Sequence, residues 1–211
     1  MTGAKDFVNA DHISLTNVKG AYSAVLGEFV AMGMLYHTKK VESFMQKKAE
    51  ANWAQESVEL VSNKTMAIIG FGDIGYHCAK VAKMGFGTRV IGLKKRPEMI
   101  TEEQKQVCDE VVGMDEIDRA LGEADFVVGI LPLTPDTKDF FNMEKFSKMK
   151  KSGVFMSIGR GPTVKEDDLI AALKNKVIGG AVLDVYAKEP VAPENELWKL
   201  PNVFMTPHCA D

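Results

Sequence analysis

Apolar positions fall into two regimes along the chain. Between Tyr22 and Ala49, the residues Val25, Leu26, Phe29, Val30, Gly33, Met34, Val41, Phe44 and Met45 recur at helical spacing. This predicts one long helix with an apolar stripe, and it turns Lys39, Lys40, Lys47 and Lys48 toward solvent. From Lys64 onward the pattern changes to short, continuously apolar runs separated by amphipathic ones. Residues 65–70, 89–93, 111–112, 125–131, 154–158, 178–183 and 203–205 read as strands. Residues 74–86, 115–121, 143–149 and 166–174 read as helices. Strands that are apolar at successive positions are buried on both faces, as in parallel sheets. Their alternation with helices predicts an α/β, doubly wound parallel sheet. The change of regime near Ser62–Lys64 divides the chain into residues 1–62, a helical segment, and residues 63–211, the sheet domain.

The first strand runs straight into Gly70-Phe71-Gly72-Asp73-Ile74-Gly75, which fits G-x-G-x-x-G. The motif carries weight only between a strand and a helix, and it stands there. Gly70 permits the tight turn, Gly72 lets a pyrophosphate approach the backbone, and Gly75 lets helix and strand pack closely. The amides of Asp73 and Ile74 then face phosphate oxygens at a helix N-terminus. The expected fold is therefore of the Rossmann kind, with a bound dinucleotide. The turn after the second strand reads Lys94-Lys95-Arg96, where a carboxylate would select an unphosphorylated ribose. Three cations attract a 2′-phosphate instead, so NADP(H) is expected over NAD(H).

Composition narrows the partners. With 26 Lys and Arg against 29 Asp and Glu, the net charge of −3 offers no attraction to nucleic acid or an anionic membrane. The apolar stretch 21–36 is interrupted by Glu28 and is too short and broken to span a bilayer. Residues 1–12 carry neither an apolar core nor an Arg-rich face, so no targeting segment is read there. Three unpaired cysteines, Cys78, Cys108 and Cys209, fit free thiols in a reducing compartment and suggest no metal knuckle. A cytoplasmic protein without a metal is expected.

Candidate chemistry gathers behind later strands. Leu131-Pro132-Leu133-Thr134-Pro135-Asp136-Thr137 stiffens the exit of one strand. Gly159-Arg160-Gly161 follows another, where a guanidinium can clamp a carboxylate. Glu189 and Thr206-Pro207-His208 offer an imidazole with a carboxylate partner, suited to passing a proton to a carbonyl oxygen. Each has a bland reading alone: a surface cation, a turn, a loop histidine. Their convergence behind strands of one dinucleotide-type sheet favours function. Cys209 as a nucleophile is set aside, because nothing suggests an oxyanion hole.

In this order the motifs, together with Gly180-Ala181-Val182-Leu183-Asp184-Val185, resemble the cofactor-binding domain of the D-isomer-specific 2-hydroxyacid dehydrogenases. That family includes glyoxylate/hydroxypyruvate reductases, phosphoglycerate dehydrogenase and relatives of formate dehydrogenase. The resemblance covers the chain from about Thr16 onward. It implies that Arg160 binds the substrate carboxylate and carbonyl oxygen. His208 is the general acid in reduction, and Glu189 orients it and raises its proton affinity. Asp184 meets the nicotinamide carboxamide, while Leu131, Pro132 and Ile158 line its pocket. The implied reaction moves a hydride between nicotinamide and a small 2-oxoacid or D-2-hydroxyacid.

The resemblance also implies a substrate lobe, most of which has no counterpart here, so the chain is expected to be a fragment that binds dinucleotide but turns over poorly. Family members pair through the region of the long helix, so a homodimer is expected with its Met/Phe stripe as the contact. The competing class is a dinucleotide sensor or corepressor-like module without turnover. An acid, its orienter and an anion clamp are more than a sensor needs.

Overall fold

Seven parallel strands carry the fold in a computed structural model that describes residues 20–210. They are β1 (Thr65–Ile69), β2 (Arg89–Leu93), β3 (Glu110–Val112), β4 (Phe126–Gly129), β5 (Val154–Ser157), β6 (Gly180–Leu183) and β7 (Val203–Met205). Their spatial order is β3-β2-β1-β4-β5-β6-β7. The chain builds outward from β1 to β3 and then returns to the other side of β1. That reversal sets the exits of β1 and β4 next to each other, with Ile69 in register with Gly129. A crevice opens where two crossovers leave in opposite directions, which is where such sheets bind ligands.

Alternation along each strand divides the core between two faces. Ala67, Ile69, Ile91, Leu93, Val127, Phe155, Ala181 and Leu183 pack on one side with Ile117 and Leu121 of α5 (Ile117–Glu123), Phe146 of α6 (Met143–Lys148) and Leu169 and Leu173 of α7 (Glu166–Lys174). Met66, Ile68, Val90, Phe126, Val128, Met156 and Val182 pack on the other side. There they meet Cys78 and Ala79 of α3 (Asp73–Lys80) and Leu26, Phe29, Val30 and Met34 of α1 (Ser23–Thr38). A fully buried side chain of this size stabilises the fold by roughly 1.5–3 kcal/mol, so both layers are needed.

The single long helix expected over 22–49 is two. After α1 the chain turns at Lys39 and Lys40 and restarts as α2 (Val41–Ala49), with Lys40 in the left-handed region at φ 52°. The cause is a contest for the last carbonyls of α1. The Thr38 hydroxyl donates to Met34 O at 2.8 Å, a back-bond that bends helices. The Thr38 carbonyl accepts at 2.9 Å from Glu59 N–H, which belongs to the returning chain. The lysines are correspondingly less free than expected: Lys40 and Lys47 both pair with Glu56 and hold that returning segment.

Most of the α1 stripe is also consumed within the chain: Leu26, Phe29, Val30, Gly33 and Met34 are buried, whereas Val25 stays exposed. A Cβ on Gly33 would stand 3.0 Å from Val182, so α1 lies directly on the sheet. Exposed apolar residues in this part of the molecule include Val25 and Met32 of α1, Phe44 and Met45 of α2, and Trp53, Val58 and Leu60 beyond it. Thr16 and Asn17, where the resemblance begins, lie outside the described residues.

Two further departures are local. The helix over 74–86 is α3 followed by a π-helical turn, Val81–Gly85. A short helix α4 (Glu102–Gln106) was not read from the periodicity at all.

Candidate active site

Each glycine of the phosphate-type turn meets a different constraint. Gly70 has φ +104°, and a Cβ there would lie 2.7 Å from the Ile130 carbonyl, so the exit of β1 touches the exit of β4. A Cβ on Gly75 would stand 3.1 Å from Gly70 O and 3.2 Å from Ile68, so the glycine lets α3 close onto β1. At Gly72 a Cβ would meet nothing within 4 Å. Protein packing therefore does not explain the glycine there, whereas a ligand approaching the backbone does. No side chain caps α3, and the Asp73 and Ile74 amides have no acceptor among the described residues. The Asp73 carboxylate is turned away, accepting from the Ser23 hydroxyl at the start of α1. Open space and free amides at a helix N-terminus fit a pyrophosphate.

β2 delivers Lys94 half-buried and Lys95 and Arg96 exposed, at the edge of the same crevice. Next to the turn lies a cavity of about 610 Å³, lined among others by Ile74, Leu131, Pro132, Ile158, Arg160 and His208. Thr137 fixes the proline-rich wall by donating to Pro132 O at 2.5 Å and accepting from Thr134 N–H at 2.8 Å. Gly159 and Gly161 explain why Arg160 stands between glycines. A Cβ on Gly159 would approach Leu131 O to 3.0 Å, and one on Gly161 would fall 1.7 Å from Tyr186 O. The β5 exit is thus wedged between the exits of β4 and β6, and Arg160 projects from it exposed, donating to Gly159 O at 2.8 Å.

The carboxylates behind β6 have separate tasks. Asp184 is only 2% exposed. Its Oδ1 accepts from the Thr206 hydroxyl at 2.6 Å and from Cys209 N–H at 2.9 Å, and Ala210 N–H donates at 3.2 Å. This pins the loop that carries His208, whose φ of 53° depends on such support. Asp184 also borders the cavity.

Glu189 accepts from Tyr186 N–H at 2.9 Å through Oε1 and faces His208 Nδ1 at 2.8 Å through Oε2. Burial acts to raise its pKa, but the His208 contact, the Tyr186 amide and the Arg160 charge outweigh it, and Glu189 is held below the usual carboxylate range. An ionised Glu189 only accepts, so Nδ1 of His208 is the donor to it. The pair is open to water, with side chains 42% (His208) and 37% (Glu189) exposed.

Sequence reasoning named His208, Glu189 and Arg160, but not the groups that hold them. Tyr186 is one: its hydroxyl donates to Leu183 O at 3.0 Å and Thr206 O at 2.8 Å, tying the β6 exit to the His208 loop. Burial, with the Asp184 charge, pushes its phenol above the ordinary range, so it remains a donor. Gln104 is another. Its Nε2 donates to the carbonyls of Phe71 and Gly72 at 3.4 and 3.3 Å, inside the glycine turn. A signal for it was present in Thr101-Glu102-Glu103-Gln104, a capping-box spacing that forms at α4.

Volume alone does not find this site. A cavity of about 690 Å³ lies elsewhere, between α2 and residues 51–56, lined by the Lys47–Glu56 ion pair and no histidine. No group of three or more His, Cys, Asp or Glu side chains among the described residues could hold a metal. No helix among them is long and apolar enough to cross a membrane.

Comparison with known proteins agrees with this geometry. The family described as "D-isomer specific 2-hydroxyacid dehydrogenase, NAD binding domain" matches residues 31–210. Glyoxylate/hydroxypyruvate reductase B of Klebsiella pneumoniae is 43% identical over 150 residues, covering 70% of this chain and 44% of the relative. The reductase B of Salmonella newport is 33% identical over 211 residues, covering 96% of this chain and 63% of the relative. The chain thus spans about half the length of the curated relatives it matches.

Among solved structures, the NADPH-dependent glyoxylate/hydroxypyruvate reductase of Sinorhizobium meliloti, in apo form, superposes with a TM-score of 0.82 at 33% identity. That match covers 90% of this chain and 94% of the other. A probable 2-hydroxyacid dehydrogenase of Rhizobium etli, in complex with NADP, HEPES and L(+)-tartaric acid, superposes with a TM-score of 0.85 at 29% identity. It covers 99% of this chain and 66% of the other.

Proposed function

The chain belongs to the D-isomer-specific 2-hydroxyacid dehydrogenase family, through that family's NAD-binding domain, and from that premise we propose that it is the cofactor-binding half of an NADP(H)-dependent reductase of small 2-oxoacids. Glyoxylate and hydroxypyruvate are the substrates named for its relatives and the first to try. Residues 63–211 form the dinucleotide-binding unit and residues 1–62 the interdomain and dimerisation segment. The boundary divides tasks rather than folding units, since α1 shares the core of the sheet.

Gly70, Gly72 and Gly75 shape the pyrophosphate seat, with the amides of Asp73 and Ile74 as donors. The basic loop 94–96 meets the 2′-phosphate, NAD(H) being the weaker ligand. Leu131, Pro132 and Ile158 shield one wall for the nicotinamide, and Asp184 meets its carboxamide. When bound, the dinucleotide supplies the hydride that reduces the carbonyl carbon.

The chain's own residues do the rest. Arg160 holds the substrate carboxylate and polarises its carbonyl oxygen through charged N–H donors. His208 gives that oxygen a proton from Nε2 in reduction and takes it back in oxidation. Glu189 keeps Nδ1–H engaged, so the ring stays oriented and its cationic form is favoured. Water competes at this open face, where charge interactions weaken. The 211 residues alone are therefore expected to bind dinucleotide well and to reduce slowly.

The observation that carries this reading is His208, paired with Glu189, bordering the same cavity as Arg160 beside the glycine turn. A sensor would have no use for such a pair, and that alternative is set aside. Exposed Met45, Trp53, Val58 and Leu60 support a homodimer formed through α2 and the segment after it. Free thiols support a cytoplasmic setting.

The test is a pair of measurements on the purified chain. NADP⁺ and NAD⁺ are titrated by protein fluorescence, and NADPH oxidation is followed with glyoxylate and hydroxypyruvate. Tighter NADP⁺ binding, with slow turnover that needs His208, supports the proposal. No dinucleotide binding, or turnover indifferent to His208, refutes it.

A further inference from the structure

Of the three cations behind β2, Lys94 is already committed. Its Nζ donates to Met99 O at 3.0 Å and to Gln104 Oε1 at 3.1 Å. The other end of that same amide reaches the glycine turn, where Nε2 donates to the Phe71 and Gly72 carbonyls. Gln104 is 7% exposed. Its place is set by the reciprocal cap: Gln104 N–H donates to Thr101 Oγ1 at 3.2 Å, and Thr101 N–H donates to Gln104 Oε1 at 3.3 Å. One buried amide therefore spans two loops that the backbone joins only as far as Leu93, whose carbonyl accepts from Gly70 and Phe71 N–H at 3.1 and 2.8 Å. Lys95 and Arg96 are exposed, and their side chains make no hydrogen bond or ion pair among the described residues.

We propose that Gln104 is a positioning residue for cofactor choice. It is a clasp that sets the spacing between the pyrophosphate turn and the basic loop, withdraws Lys94 from phosphate binding, and leaves Lys95 and Arg96 to recognise the 2′-phosphate. The inference deepens the dinucleotide reading above and rests on it. A ligand with phosphates at both places gains from a preset spacing, because less ordering remains to be done on binding. A ligand that engages one loop alone gains nothing from the clasp.

Three ligands separate these roles. NADP⁺ engages both loops, NAD⁺ engages the glycine turn without the 2′-phosphate, and adenosine 2′-monophosphate engages the basic loop without the pyrophosphate. Calorimetric titration of the 211-residue chain and its variants is the experiment. Gln104→Glu preserves length and the acceptor for Lys94 but loses the donor to the two carbonyls. It is expected to weaken NADP⁺ about tenfold, within the usual range of coupling between sites, while the two single-loop ligands stay within about threefold. Lys95→Ala and Arg96→Ala are each expected to weaken NADP⁺ and adenosine 2′-monophosphate about tenfold and to spare NAD⁺. Lys94→Met leaves adenosine 2′-monophosphate within about threefold.

Parallel weakening of all three ligands by Gln104→Glu, or no weakening, identifies a merely structural amide and overturns the clasp. Loss of adenosine 2′-monophosphate in Lys94→Met overturns the withdrawal of Lys94. Should Gln104→Glu not fold, Gln104→Met, similar in length and apolar, faces the same three ligands and the same criteria. If the unaltered chain prefers NAD⁺ and ignores adenosine 2′-monophosphate, the cofactor reading falls together with the inference. If it prefers NADP⁺ and the Gln104 variants lose all three ligands alike, the inference alone falls.

Discussion

The two ends of the crevice are built in opposite ways. At the glycine turn, geometry comes from backbone against backbone: Gly70 on Ile130, Gly75 on Gly70 O and Ile68, and the ring of Phe71 laid over Gly92. Little there can move without disturbing buried core. At the other end, Arg160, Glu189 and His208 are side chains at the surface, posed by a few hydrogen bonds from Tyr186, Asp184 and one another. The dinucleotide end is preorganised by packing, and the acid–base end depends on what excludes water from it. Binding and chemistry should therefore fail separately.

The widest separation is expected from His208→Asn. Loss of the general acid should lower the reduction rate by roughly 10²–10⁴-fold. Because His208 is exposed, NADP⁺ affinity and Tm should hardly change. A matching fall in affinity would show that the two ends are not independent.

Gly161→Ala should do the reverse and act through the fold. Its Cβ would be driven into Tyr186 O at 1.7 Å, so a loss of about 3 kcal/mol is expected in urea unfolding. Unchanged stability would mean that the wedge of strand exits is soft.

Gly70→Ala adds strain at φ +104° and a 2.7 Å approach to Ile130 O, for about 1–3 kcal/mol. Its signature is weakened dinucleotide binding at temperatures where the chain is still folded. Intact binding would remove the turn from the site.

The smallest effect is on pH. Glu189 has a folded pKa below its ordinary value, so its contribution is present above the ordinary carboxylate range and is lost as pH falls through the lowered one. Because the pair is exposed, this amounts to less than about 1 kcal/mol. His37, in the last turn of α1, is half-buried with its ring against Ala181 O at 3.3 Å, and burial lowers its pKa from 6.5. Its neutral form is the one that fits. Stability should be complete above pH 6.5 and decline as pH drops through the lowered value, and His37→Gln should flatten that limb. A slope that survives His37→Gln but vanishes in Glu189→Gln would assign the acid limb to the exposed pair instead.

Much of this was legible in the chain, for reasons that differ by element. Buried parallel strands need unbroken apolar runs, so β1, β2, β4, β5 and β6 could be located without coordinates. The glycine turn was equally plain, because its backbone conformation and close approaches admit almost no other residue. Arg160, Glu189 and His208 stood out as candidates because their chemistry is rare behind strand ends, and the structure sets Glu189 against His208 and brings Arg160 and His208 to one cavity. The break at Lys39 and Lys40 was not visible: it is caused by Glu59, which arrives from a distant part of the chain to take the Thr38 carbonyl.

The fate of the α1 stripe was undecided for the same reason, since periodicity marks an apolar face without saying what covers it. Spacing could not distinguish Lys94 from Lys95 and Arg96 either; a buried amide ten residues on separates them. Local pattern determined the elements and the chemistry available to them, because backbone propensity and residue type act within a turn or a strand. Tertiary structure alone decided which groups are free and which are spent, because a hydrogen bond across the fold depends on where the partner loop comes to rest.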